Sequence, residues 1–578
     1  MATVKLKIQI TGEMSTRRFL AIKAVLMALI QGFLLTGCMQ SPQGEKSMPA
    51  PGLYEGVEFE MDEVREPQIP GLQVSIADFG AVGGGQELNS EAFSAAIDKV
   101  TSQGGGRVII PPGVWLTGPI VLKSNLELHA EQGALIIFSS DKDLYPLVET
   151  SFEGLNTWRC ISPIYGKNVE NIAFTGKGVW DGSGDAWRFV KKSKLTDSHW
   201  KKLVASGGVL NEKMNEWYPS EQFRKAAMNA DMNVPSGLKT RDDYEAIRDF
   251  LRPVMVSISH SKRILFDGPT FQNSPAWCIH PLIVEDLIVR NITVRNPWYS
   301  QNGDGIDIES CKNVVLTNSS FDVGDDAICI KSGKDKDGRD RGIPCENIVI
   351  RDCVVYHGHG GVTVGSEMSG GVKNMHVSNC TFIGTDVGLR FKSNRGRGGV
   401  VENIYLSDIH MADIPTQAIS FDLFYGGKSV SEMLEEGEQQ VSAEGMPVNE
   451  ETPQFRNIFI RNVTCKGALQ AIFLQGLPEM NLENVHLEDI LMEADKGLTC
   501  TDASGVVIKG LHLVTKELPV VEFFNSRGVV AENLQLKSTG NHVITVNGSR
   551  TKSIVLKGTG LRESVTIGAE VDQHEVKF

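Results

Sequence analysis

Along most of this chain apolar residues return at alternate positions in short runs, and an asparagine introduces each run. Asn313 is followed by Val314 and Leu316, Asn347 by Ile348 and Ile350, and Asn374 by Met375 and Val377. Asn403, Asn457 and Asn484 open runs of the same form. The residue between the two apolar positions is free to be His376, Tyr405 or His486. A period of two puts one face of a strand against a core and the other toward solvent. Six residues after each Asn stands another small or apolar residue: Ser319, Cys353, Cys380, Ile409, Val463 or Ile490. The units recur every ~21–34 residues with no long helix between strands, which predicts a solenoid of the parallel β-helix type. Each coil then buries a stripe that only its neighbours can cover. The recurring Asn is expected to stack as a ladder at a turn, its amide bonded to the coils above and below.

The pattern extends upstream to Asn171 and Asn125 and downstream to Ile554, Val555 and Leu556, so one elongated domain over residues 71–578 is expected. A helix is predicted just before the coils. Phe93, Ala96, Ile97 and Val100 share one helical face, and Ser90 is in position to cap it. Such a helix would plug the open end of the first coil. Two stretches break the repeat, at about 185–251 and 429–452. Solenoids carry insertions as loops on one face, and the first is long enough to form its own helices.

The N-terminus reads as an address. Arg17, Arg18 and Lys23 precede an apolar run too short to span a membrane, the form of a secretory signal peptide over 1–37. The run ends in Leu35-Thr36-Gly37-Cys38, which resembles a bacterial lipobox. That resemblance implies cleavage before Cys38, lipidation of its thiol, and an exported protein held at a membrane by lipid alone. Residues 38–70 are rich in Pro, Gly, Ser and Glu and read as a tether. Of ten cysteines, setting Cys38 aside leaves an odd number at irregular spacing, which is not a disulfide framework. Cys353 and Cys380 share one inward slot and are expected in the core. Zinc-ligand spacing is missing, so neither a metal nor a cofactor is expected.

The chemistry lies in consecutive units. Gly303-Asp304-Gly305, Gly324-Asp325-Asp326 and Gly358-His359-Gly360 follow one another, and Arg390-Phe391-Lys392 comes next. Asp325 and His359 stand at the same offset from their units' Asn, and Gly303-Asp304 aligns with Gly324-Asp325 by its glycine. Asp304, Asp325 and His359 should therefore project together, one strand spacing of ~4.8 Å or a small multiple apart, with Asp326 displaced to one side. Hydrolysis of a glycosidic bond needs a protonated carboxyl for the leaving oxygen and a carboxylate to take a proton from water. Clustered carboxylates raise one another's pKa, so one can stay protonated near neutrality. Singly these motifs are turn glycines, turn aspartates and a solvated strand face; together, in adjacent repeats, they are equipment for hydrolysing an acidic sugar chain.

These motifs resemble those of the polygalacturonases, glycoside hydrolase family 28. Asn302-Gly303-Asp304, Gly324-Asp325-Asp326, Gly358-His359-Gly360 and Arg390-Phe391-Lys392 match its four signatures. Asn273-Ser274-Pro275, Trp277, His280-Pro281 and Ala77-Asp78-Phe79-Gly80-Ala81 are also similar. The resemblance implies a right-handed parallel β-helix that cleaves pectin by inversion. It implies Asp325 as general acid, Asp304 and Asp326 as the pair that holds and deprotonates water, and His359 beside the acid. Arg390 and Lys392 would grip the uronate carboxylate next to the scissile bond, with Asn302 in the binding motif. Gly303 stands where many members have Thr, and Phe391 where many have Ile. Tyr425, one coil beyond Lys392, is expected either to stack on a sugar or to cap the core.

The net charge of −14 would by itself repel a polyanion. Beside the motifs, however, Lys331, Lys334, Lys336, Arg339, Arg341, Arg395 and Arg397 predict a local positive cleft. No nucleic-acid motif accompanies these charges, and nucleic acid is not an expected partner. The insertion at 185–251 and the loop starting at Lys334 could wall one end of the cleft, as exo-acting members' extended segments do, so an exo-acting monomer on oligogalacturonides is expected. The rivals are a rhamnogalacturonan or xylogalacturonan hydrolase, a calcium-dependent pectate lyase, and a β-helix that binds glycans without cleaving them.

Overall fold

Every asparagine of the predicted ladder adopts the left-handed backbone conformation in the computed structural model, with φ of 57° at Asn313 and Asn374 and 58° at Asn347 and Asn403. Among non-glycine residues Asn tolerates that region best. Side chains then link coil to coil: the Nδ2 of Asn347, Asn374, Asn403, Asn457 and Asn484 each donates to the Oδ1 of the Asn one coil earlier, at 2.8–3.2 Å. Asn171 donates likewise to Asn125. Each link satisfies a donor and an acceptor that the turn would otherwise bury, for about 1 kcal/mol.

The structure describes residues 52–230, 233–425, 445–538, 540, 543–558 and 561–578. From Gln73–Ser75 to Val576–Lys577, 34 strands pair in parallel as one continuous sheet, a right-handed parallel β-helix. The coils are in register: Ile306 lies beside Ile328, Val314 beside Ile348 and Phe321 beside Val355. Inward positions therefore form columns. Phe174 stacks on Phe266 with ring centroids 5.0 Å apart, and Phe391 on Phe421 at 4.3 Å; such pairs add about 1 kcal/mol beyond their burial. The nine cysteines of the described residues are unpaired and buried, Cys353 and Cys380 among them.

The helix Ser90–Thr101 covers the first coil with Phe93, Ala96, Ile97 and Val100 buried. Ser90 is not its cap. Asn89 holds that position, and its amide is turned away to Val82 and Leu116 while the Ser90 hydroxyl accepts from Gly118 N. The first insertion has helices Asp197–Ala205, Glu221–Asn229 and Arg241–Glu245, a small antiparallel sheet, and a core of its own around Trp187, Tyr218, Phe223 and Phe250. An antiparallel hairpin of Leu147–Phe152 and Leu155–Cys160, which no periodicity announced, shares this core.

The tether reading needs correction. From residue 57 the segment lies along the coils: Glu58 accepts from His376 at 2.7 Å, Arg65 pairs with Asp286 at 2.6 Å, Glu66 with Arg290 at 2.7 Å, and Val64 is buried. Its acidic and polar composition suits a linker, but the same charges meet partners on the outward faces of stacked strands. The expected signal peptide, Cys38 and the rest of the tether up to residue 51 lie outside the described residues, as does most of the second insertion.

Candidate active site

The motif glycines make room for the charged side chains. A Cβ at Gly360 would lie 2.8 Å from Asp326 Oδ1 and 2.2 Å from Thr363 Oγ1. At Gly303 it would strike the Ser300 hydroxyl, which fills the space a larger residue would need and donates to Pro297 O. The departure at Gly303 thus has a local cause. Phe391 faces inward onto Phe421 and takes no part in the cleft.

Register corrects the expected grouping. Ile306 beside Ile328 sets Asp304 against Asp326, not Asp325, and Gly305 N donates to Asp326 O. Asp325 instead aligns with His359, whose backbone N donates to Asp325 O at 2.9 Å. Aspartates 304 and 326 are both buried, with a carboxylate oxygen of each within 4.8 Å of the other. Asp325 keeps 24% side-chain exposure at the cleft. Its oxygens accept from Asp326 N at 3.0 Å and Asn302 N at 3.3 Å, and His359 Nδ1 lies 3.3 Å away.

The two buried aspartates are in opposite electrostatic states. Burial alone would push the Asp326 carboxyl up, but the charges of Lys392 and Arg390 outweigh it and hold Asp326 well below the usual carboxylate range. Lys392 Nζ donates to Asp326 Oδ2 at 2.7 Å and Arg390 Nη1 to Oδ1 at 2.9 Å. Burial, then the charges of Asp307 and Asp325, push Asp304 far the other way, and its Oδ1 has no hydrogen-bond partner. Beneath them lies a layer that the motifs did not reveal. Asp307 is pushed up to about 8 by burial, against the pull of Lys331 at 3.6 Å, and Lys331 also pairs with Glu367 at 3.0 Å.

His359 sits between two carboxylates, with Nε2 3.6 Å from Asp386 Oδ2 on the next coil. The hydrogen bond to Asp325, and the charges of Asp325, Asp326 and Asp386, raise its pKa against burial. Asp386 was not legible in the sequence, because it belongs to no motif and its closeness depends on coil register. Tyr425 lies over Lys392 and Arg390, 5.0 and 5.7 Å from ring centroid to cation, so it belongs to the site. The Asn302 side-chain oxygen accepts from Arg252 at 2.8 Å and Asn233 at 3.2 Å, joining the first insertion to the cleft.

The expected positive cleft is largely neutralised. Arg341 pairs with Glu309, Arg395 with Glu479, Arg397 with Asp335, Arg339 with Glu451 and Lys336 with Asp340. Asp304, Asp326 and Cys329 lie close enough together to suggest a metal site. The donor set does not suit calcium, which takes six to eight oxygens: burial keeps the Cys329 thiol neutral, and two cations already hold Asp326.

On the N-terminal side the cleft is walled. Lys334 N donates to Gly154 O at the tip of the hairpin, Asn156 N donates to Asp337, and Asn233 bridges Glu153 to Asn302. On the C-terminal side a groove continues past Arg390 and Lys392.

A family model described as glycosyl hydrolases family 28 matches residues 248–506, which include every motif residue of the cleft. A probable polygalacturonase of Vitis vinifera is 26% identical over 442 residues, 75% of this chain and 77% of its own. The exo-poly-alpha-D-galacturonosidase of Dickeya chrysanthemi is 27% identical over 362 residues, 61% of this chain but only 57% of its own length. Among solved structures, the hyperthermoactive exopolygalacturonase from Thermotoga maritima is similar over 82% of this chain and 94% of its own, at 32% identity and a TM-score of 0.60.

Proposed function

The chain belongs to the glycosyl hydrolases family 28, and on that premise we propose that it cleaves α-1,4-galacturonosidic bonds with inversion, trimming oligogalacturonides from one end. It is a glycoside hydrolase acting on polygalacturonate. The observation that carries the mechanism is the split between its carboxyls: Asp326 is held ionised by Arg390 and Lys392, while Asp304 beside it is pushed toward its neutral form. A water held between them meets one carboxylate able to take its proton. Asp325, the exposed member of the three, faces the bond from the cleft and donates to the leaving oxygen the proton it shares with His359 Nδ1, 3.3 Å away. This division of labour is the inverting arrangement. Arg390 suits a uronate carboxylate by its planar fork and Lys392 by its point charge. The wall at Asn302 supports action at a chain end, as does the likeness to the exo-poly-alpha-D-galacturonosidase of Dickeya chrysanthemi and the exopolygalacturonase of Thermotoga maritima. The leader and the Leu35-Thr36-Gly37-Cys38 motif support export with Cys38 lipidated, which would hold the enzyme at a bacterial membrane.

The test is a product time course on polygalacturonate, comparing the native enzyme with Asp325→Asn. Saturated monomer from the outset, reduced about 10²–10⁴-fold in the variant, is the expected result. Mixed saturated oligomers would overturn the end-acting reading, and an ultraviolet-absorbing unsaturated product would overturn hydrolysis itself. Inertness toward polygalacturonate but release from branched pectins would move the substrate to rhamnogalacturonan or xylogalacturonan.

A further inference from the structure

Past the catalytic carboxyls the coil register draws a straight line across the cleft floor. Arg390 lies beside Ser420, Ser420 beside Phe473, Phe473 beside Thr499 and Thr499 beside Glu522. In the adjoining column Gln470 lies beside Lys496. These columns floor a groove of ≈ 550 Å³ that begins at Arg390 and Lys392 and ends against Glu517 and Glu522. Thr499 and Lys496 are three coils beyond Arg390 by this register. At ~4.8 Å per coil that is ~14 Å, and a pyranose unit is about as long as one coil spacing. The cations nearer the site are paired with acids, whereas Lys496 is exposed and has no ion-pair partner among the described residues. The ring of Phe473 lies between the two cationic positions, where a sugar face would rest.

We propose that Lys496 holds the carboxylate of a uronate about three units along the chain from the one at Arg390, and that Glu517 and Glu522 end the groove for a polyanion. The inference rests on the reading of a uronate chain as substrate. It adds a length limit to that reading. Each unit up to Lys496 gains a contact, and a unit beyond it meets two carboxylates, a repulsive element of the kind that sets specificity. Short oligogalacturonides are then better substrates, unit for unit, than the polymer.

The experiment is kcat/KM over a series of oligogalacturonates of increasing length. In the native enzyme it should rise until the chain reaches Lys496 and then fall as further units meet Glu517 and Glu522. Lys496→Ala should remove about tenfold from that last rise, and Lys496→Arg should restore most of it. The double variant Glu517→Gln with Glu522→Gln should remove that fall and move the maximum to longer chains. A length profile of the same shape in native enzyme and Lys496→Ala would overturn the proposal. If the native enzyme cleaves no oligogalacturonate, the functional reading fails by itself. Equilibrium binding of the same series to Asp325→Asn, with and without Lys496→Ala, then decides this one: weaker binding of long chains in the double variant supports it, and equal binding refutes it.

Discussion

Two columns of polar side chains run across the coils of this molecule under opposite rules. In the asparagine ladder every coil repeats a group that is donor and acceptor at once, so each copy satisfies the next. In the cleft the coils repeat carboxyls, which cannot satisfy one another. Asp304 against Asp326, with Asp307 close by, would concentrate negative charge in a buried stack, and burial pushes Asp304 and Asp307 toward their neutral forms while Asp326 stays ionised. The stack persists because Arg390, Lys392 and Lys331 reach in from neighbouring coils. Repetition thus stabilises when the repeated group is self-complementary. When it is not, repetition stores the displaced proton affinities that catalysis uses.

Replacing the carboxylate that both cations share should break this contrast most strongly. Asp326→Asn leaves Lys392 and Arg390 buried without their counter-charge, which should cost about 3 kcal/mol of stability at neutral pH. The sign follows from its depressed pKa. A carboxyl held below its unfolded value contributes stability above the unfolded pKa, and that contribution is lost as pH falls through the folded one. The native enzyme and the variant should therefore differ most in denaturant unfolding near neutrality and converge in strong acid. Hydrolysis should fall at least about 10²-fold. Equal unfolding midpoints at neutral pH would show that the cations do not depend on Asp326.

The ladder answers to a smaller change. Asn374→Ala removes the bond donated to Asn347 and the bond accepted from Asn403, and it puts alanine at φ 57°. Two bonds of about 1 kcal/mol each, with left-handed strain of about 1 kcal/mol, predict a loss of about 2–3 kcal/mol with the cleft chemistry intact. Unfolding and hydrolysis measured on one preparation would separate the two columns. A large loss of kcat without a loss of stability would mean that the ladder serves the site directly.

The two columns were not equally legible in the sequence. The ladder was, because Asn with alternating apolar residues is a local pattern that repeats. The site's membership was legible too, since its motifs are contiguous. Its grouping was not. Aligning Gly303 with Gly324 placed Asp304 beside Asp325, whereas strand register sets it against Asp326. Offsets counted along a chain cannot see how many residues a turn consumes. Lys331, Arg341 and Arg395 read as an open basic cleft because their partners Glu367, Glu309 and Glu479 lie far along the sequence. The hairpin at 147–160 and the docked segment from residue 57 carry no period at all, since each is held by contacts to coils formed elsewhere.

In one respect His359 makes the charged column behave like the ladder. Its ring links Asp325 on the coil before it to Asp386 on the coil after it, at 3.3 and 3.6 Å. An imidazole can serve two carboxylates only by carrying a proton on each nitrogen. Its pKa is raised accordingly, chiefly by the bond to Asp325 and then by the charges around it, Asp386 included. The imidazolium persists above the ordinary histidine value, and its contribution to the site and to stability is lost as pH rises through the folded pKa. Asp386→Asn removes one of the two carboxylates, and Asp386 is half exposed, so the effect is screened and small. The alkaline limb of the pH profile of kcat/KM should move slightly to lower pH, since the charge of Asp386 is the last of the causes that raise the His359 pKa. A limb that stays in place would leave Asp325 alone as the group that keeps His359 charged, and the link across the coils would then be a matter of proximity.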